Sequence, residues 1–195
     1  MLTNEVPGRS ADAAPQQRKR RIRRRTLAIT ALVLVAAFSA GTARLFVCPA
    51  TGMPARVDAI VMMDGPGYRL HTARGLAWQD RAPVLVVSRG STFYGHGSSC
   101  APPIPQVKVI CFDPNPATTQ GEAEFAGRLA KQYHWHSIAL VTITPQDSRA
   151  RLRMERCFSG HVYVMTAPMP FYYWPYEIAY EWGATVKALT VNRSC

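Results

Sequence analysis

Val57-Asp-Ala-Ile-Val-Met-Met63, followed at once by Asp64-Gly65-Pro66-Gly67, decides how the chain is read. A short apolar run stopped by turn formers predicts a buried strand. Helical spacing takes over next, with Leu70, Ala73, Leu76 and Ala77 on one face between Tyr68 and Asp80. Pro83-Val-Leu-Val-Val-Ser88 predicts a second strand, ended by Arg89-Gly90. Residues 89–106 hold Gly, Ser and Pro without a helical period and read as a long loop. Val107 to Phe112 is a third strand, and Thr118 or Thr119 caps a helix over Gln120 to Tyr133. Glu122 stands at the capping-box spacing from Thr119. Ser137 to Ile143, a helix from Pro145 to about Phe158, His161 to Thr166 and a helix from Trp174 to Leu189 complete the series. Continuous apolar runs separated by amphipathic helices argue for a parallel sheet covered on both faces. The expectation is a three-layer α/β/α domain, Rossmann-like in the broad sense, with a five-stranded, mainly parallel sheet.

Ahead of this domain the charge is uneven. The 195 residues carry 23 Lys+Arg against 12 Asp+Glu, a net of +11. Residues 1–25 hold 8 basic and 2 acidic side chains, a net of +6, leaving +5 for the rest. The basic cluster Arg18 to Arg25 leads directly into Thr26 to Val47, where Arg44 is the only charge. A bilayer crossing needs roughly 20 apolar residues, so 26–47 reads as a transmembrane signal-anchor. Residues 1–25 then form a flexible cytoplasmic tail by the positive-inside bias, 48–56 a linker, and 57–195 an extracytoplasmic domain. The rival reading is a secretory signal cleaved near Gly41-Thr-Ala43. Basic charge placed this way points to the plasma membrane, and no nucleic-acid partner is expected.

An exported domain gives the cysteines meaning. Cys48 abuts the anchor, leaving Cys100, Cys111, Cys157 and Cys195 with three possible connectivities. Cys100 and Cys111 flank a short Pro-rich stretch, so they are expected to pair, and Cys157 with Cys195 by elimination. Neither CxxC, Cys/His nor HExxH spacing occurs, and no metal site is expected.

In a parallel sheet, ligands sit outside the carboxyl ends of the strands. That rule selects Asp64 and Gly65, then Ser88, Arg89 and Gly90, then 113–122 with Thr119 and Glu122, and finally 142–149 with Thr142 and Arg149. Arg69 joins them because it falls near the same sheet edge as Arg89 and Arg149. Arginines at one edge suit a phosphate or carboxylate, but surface pairing with Glu122, Asp113 or Asp147 is the expected reading of any single one. Glu122 is either a capping carboxylate or a cleft residue paired with Arg149. The aromatic segment 171–182 (FYYWPYEIAYEW) either rests on lipid headgroups or packs on the sheet, and packing is the expectation.

The same segments, in order, resemble the SanA/ElyC/YdcF family of bacterial envelope proteins. The shared elements are Asp58-Ala-Ile-Val61 with Gly65, Arg69-Leu70-His-Thr-Ala73, Val86-Val-Ser88-Arg-Gly90, Thr119-Gln-Gly-Glu122-Ala123, and Val141-Thr142 with Arg149-Ala150. The likeness covers about residues 57–190. It departs at Met63-Asp64-Gly65-Pro66, where the family has a Gly-rich turn, at Ser88-Arg89-Gly90 in place of Ser-Gly-Gly, and at Pro145-Gln146 in place of a polar pair that often includes His. The resemblance implies a membrane-anchored protein of cell-envelope biogenesis or barrier integrity. Its ligand would be small and anionic or phosphorylated, with a lipid-linked envelope precursor as the candidate partner. A non-catalytic scaffold for envelope-synthesis proteins is the alternative. The sequence leaves open which cofactor, if any, is bound and whether a reaction is catalysed.

Overall fold

The computed structural model describes residues 13–90 and 100–195. The chain forms two units, Met1–Gly41 and Thr42–Cys195. The first is dominated by α1 (Ala13–Phe46), of which Arg18–Phe46 is long and apolar enough to cross a membrane. Leu27, Leu32, Val33, Leu34 and Phe38 stand exposed along it, which distinguishes it from a buried core helix. Residues 13–25 of the expected flexible tail are helical, because α1 already begins at Ala13, and residues 1–12 lie outside the described residues. Arg, Lys, Gln and Ala are strong helix formers, and they continue the apolar helix backwards without a break.

The second unit carries the sheet. Its elements are β1 (Ala59–Met62), α2 (Arg69–Trp78), β2 (Val84–Ser88), β3 (Lys108–Phe112), α3 (Thr119–Gln132), β4 (Ser137–Ile143), α4 (Asp147–Cys157), β5 (His161–Ala167) and α5 (Trp174–Thr190). All five strands are parallel, in the order β3-β2-β1-β4-β5. Alternate residues of β1 feed opposite faces. Ala59, Val61 and Met63 join Ala123, Ala126, Leu140 and Met154 of the α3–α4 face. Ile60 and Met62 join Ala73, Leu76 and Ala77 of α2. The α/β expectation therefore holds, with helices on both sides of a fully parallel sheet.

Local chemistry adjusts the boundaries. Thr118 caps α3, its hydroxyl accepting from the Gly121 N–H at 3.3 Å. Pro145 opens a single 3-10 turn (Thr144–Gln146), and α4 starts only at Asp147. Of the loop expected at 89–106, residues 91–99 lie outside the described residues. Cys100 is bonded to Cys111 and Cys157 to Cys195, with Cα–Cα distances of 5.7 and 4.8 Å. Residues ahead of β1 belong to this unit as well: Gly52 bridges Val164, and Arg151 donates to the Ala50 carbonyl at 2.8 Å. The aromatics of 171–182 do not all pack on the sheet as expected. Phe171, Tyr172, Tyr176 and Tyr180 are exposed, because α5 buries Glu177, Glu181, Thr185 and Ala188 instead.

Candidate functional site

The strand order reverses between β1 and β4, and the chain leaves both strands at the same sheet edge. A cleft of about 240 Å³ opens there. Asp64, Gly65 and Pro66 form its floor, Thr118, Thr119 and Glu122 of the α3 start one wall, and Gln146 and Arg149 the other. Glu177, Tyr180 and Glu181 of α5 cover it, and Gly90 and Pro114 stand at the rim.

Glu122 is buried, and its Oε1 accepts from the Asp64 N–H at 2.6 Å. It is therefore a cleft residue rather than a cap, and it does not pair with Arg149. Burial pushes its carboxyl up to about 7, against the lowering pull of the Ser88 hydroxyl, the Asp64 N–H and the Arg69 guanidinium. The close approach of α3 to the preceding turn depends on Gly121, where a Cβ would meet the Pro116 carbonyl oxygen at 2.0 Å.

Arg69 lies beneath the cleft rather than in it. Its Nε donates to the Pro66 carbonyl at 2.8 Å, and its Nη1 to the Asp64 carbonyl and Gln146 Oε1, both at 2.7 Å. This guanidinium ties down the turn after β1. Gly65, at φ +136°, makes room for it, since a Cβ there would stand 2.6 Å from Arg69 Nη2. Gln146 is the hub of the same network. Its Oε1 accepts from Thr142 Oγ1 at 2.7 Å, and its Nε2 donates to Thr119 Oγ1 at 3.0 Å.

Arg149 does line the cleft, but with a partner the sequence reading did not name. Its Nε and Nη2 donate to Glu181 Oε2 and Oε1, each at 2.6 Å, a two-pronged pair with both side chains buried. Burial opposes the charge, yet the Glu181 bonds hold the guanidinium above its ordinary range. Arg89 pairs with Asp113 at 2.6 Å on the exposed surface, one of the partners expected for the arginines. The remaining arginines of α4 are also committed. Arg151 donates to the Val162 carbonyl at 2.9 Å, and Arg153 and Arg156 to the carbonyl of Asn192 beyond α5.

Of the ten residues expected at the site, Asp64, Gly65, Gly90, Thr119, Glu122 and Arg149 line the cleft. Ser88 and Thr142 are wholly buried below it with Arg69, and Arg89 lies apart from its lining. Sequence reasoning covered Gln146 only as part of the segment 142–149 and missed Glu177, Tyr180 and Glu181. Among the described residues no cluster of three or more His, Cys, Asp or Glu is arranged to hold a metal ion. The lining is acidic, with Asp64, Glu122, Glu177 and Glu181 against Arg149. No protein-family model, curated protein or solved structure matches the chain.

Proposed function

We propose that the chain is a single-pass envelope protein of the SanA/ElyC/YdcF type, held in the plasma membrane by α1 with its domain outside. Its cleft takes a small phosphorylated ligand, of which a lipid-linked envelope precursor is the candidate. The single observation that carries the ligand reading is the cleft at the carboxyl edge of the sheet, into which the start of α3 brings the buried Glu122 carboxyl; burial pushes that carboxyl up to about 7. A helix start favours an anion. Carboxylates around it would repel one, unless the nearest is protonated. Near neutral pH Glu122 is divided between its two forms, and the protonated form donates a hydrogen bond to a phosphate oxygen. Uptake of the ligand is then coupled to uptake of a proton. The same group has a pKa suited to general acid–base work, should the ligand be hydrolysed.

Titration calorimetry of the full chain in detergent micelles tests this with inorganic phosphate, sugar phosphates and a polyprenyl phosphate. Binding should weaken as pH rises from 6 to 8, by up to about tenfold per pH unit above 7, the limit for one linked proton. Glu122→Gln should abolish that slope. No heat with any of the three phosphate classes would overturn the ligand reading.

A second reading has an observation of its own in favour. Arg69 and Arg149 are both committed to partners within the chain. That is what a non-catalytic interaction module for envelope-synthesis proteins requires of them, and it is the reading left if no phosphorylated compound binds.

A further inference from the structure

α5 is built inside out. A helix on a globular domain normally turns its apolar stripe to the core. Here the buried positions are Glu177, Glu181, Thr185 and Ala188, drawn inward on the Arg149 side. The outward half carries Tyr176, Tyr180, Val186 and Leu189, continued by Phe171 and Tyr172 of the preceding turn. Phe171 is 83% exposed and Tyr172 73%. Ring contacts join the surface, Tyr172 to Tyr173 at 4.4 Å and Tyr176 to Tyr180 at 6.2 Å between centroids.

Two observations say what covers this face. The first is position. Trp182 on its flank donates from Nε1 to Thr42 Oγ1 at 3.2 Å, and its ring meets Phe46 edge-on at 5.2 Å. Thr42 and Phe46 are the last-turn residues of α1, so α5 stands where the polypeptide leaves the apolar helix. The second is charge. Both acidic residues of α5 are buried, and its one basic residue, Lys187, is exposed. Lys187 falls on the same stripe as Tyr176 and Tyr180 at 100° per residue. Aromatic rings with polar tips beside a lone cation suit the headgroup layer, where Tyr and Trp concentrate and anionic lipids attract Lys.

We propose that the face formed by Phe171, Tyr172, Tyr176, Tyr180 and Lys187 seats in the headgroup layer of the bilayer that holds α1. The inference rests on the reading of α1 as a membrane span. The domain then lies against the membrane surface instead of swinging on its tether. Tyr180, shared between this face and the cleft lining, sets the cleft mouth beside the lipid headgroups.

Spin labels report the depth. The full chain carrying Cys48→Ser, which removes the free thiol, and Tyr172→Cys is labelled and reconstituted in vesicles of phosphatidylethanolamine and phosphatidylglycerol. Trp78→Cys, exposed at the end of α2, serves as the reference. The expected result is loss of collisions with a water-soluble nickel chelate at position 172, a gain with oxygen, and the reverse at position 78. Equal chelate access at both positions, in a chain that stays in the vesicles through alkaline washing, would overturn the proposal and leave the anchor intact. Protection at 172 that persists in detergent with a doubled mass would overturn it in favour of a second copy. Release of the chain by alkali would remove the anchor reading, and the proposal with it.

Discussion

The two ends of β1 each hold a carboxylate, and the two are treated in opposite ways. At the amino end, Asp58 Oδ2 accepts from the N–H groups of His136 and Ser137 at 2.7 and 2.8 Å and from Ser137 Oγ at 3.0 Å. Burial would raise this carboxyl, but those donors outweigh it and hold it below its ordinary value. At the carboxyl end, Glu122 receives fewer donors and far more burial, and its carboxyl rises to about 7. One strand thus separates a carboxylate that fastens the start of β4 from one that burial holds well above its ordinary range. The two carboxyls differ both in burial and in the donors aimed at the charged form, and the balance of the two sets the direction of each shift.

The largest way to break this contrast is at the charge pair beside Glu122. Arg149→Ala strips the buried Glu181 of its partner and should cost about 3–5 kcal/mol in denaturant unfolding of the full chain in micelles. Replacing both partners with apolar residues, Arg149→Met with Glu181→Leu, should recover most of the loss. If the single variant costs no more than the double, the pair is not the fastening described here.

Next in size is the proton itself. A Glu whose folded pKa is raised makes the folded state lose stability as pH climbs from its unfolded value of 4.5 through about 7. Glu122→Gln keeps an acceptor for the Asp64 N–H and removes that loss. The variant should equal the parent near pH 4 and exceed it by up to about 3 kcal/mol at pH 8. A constant difference across that range would show that Glu122 does not titrate there.

Smallest is the amino end, where the sign reverses. Asp58 contributes stability that is complete above its unfolded value of 3.8 and lost as pH falls through its lower folded value. Asp58→Ala should cost about 1–3 kcal/mol at neutral pH by leaving the His136 and Ser137 donors unpaired. The cost should shrink only in strong acid, as followed by tryptophan fluorescence.

These contrasts mark how far the sequence could be read. The strands announce themselves because each carries a continuous apolar run, and the central ones, β1, β2 and β4, are buried almost throughout. The carboxyl-edge rule brought Asp64, Gly65, Thr119, Glu122 and Arg149 to one cleft, since every parallel strand opens on that edge. What the rule could not supply was pairing. Arg69 turns under the floor because the carbonyls of the β1 turn point there, a direction with no trace in residue spacing. Glu181 lies 32 positions after Arg149, on a helix whose aromatic residues suggested an apolar inner face. The inverted α5 appears only once the sheet and α4 have fixed which side of the helix faces in.

The titration of Glu122 is the most direct test of this account. In the full chain held in micelles, the side-chain carboxyl carbon of Glu122 can be followed by carbon-13 NMR from pH 3 to 9, with Asp58 as the internal reference. The account predicts a midpoint near 7 for Glu122 and one below 3.8 for Asp58. A Glu122 midpoint at the ordinary glutamate value of 4.5 would contradict it.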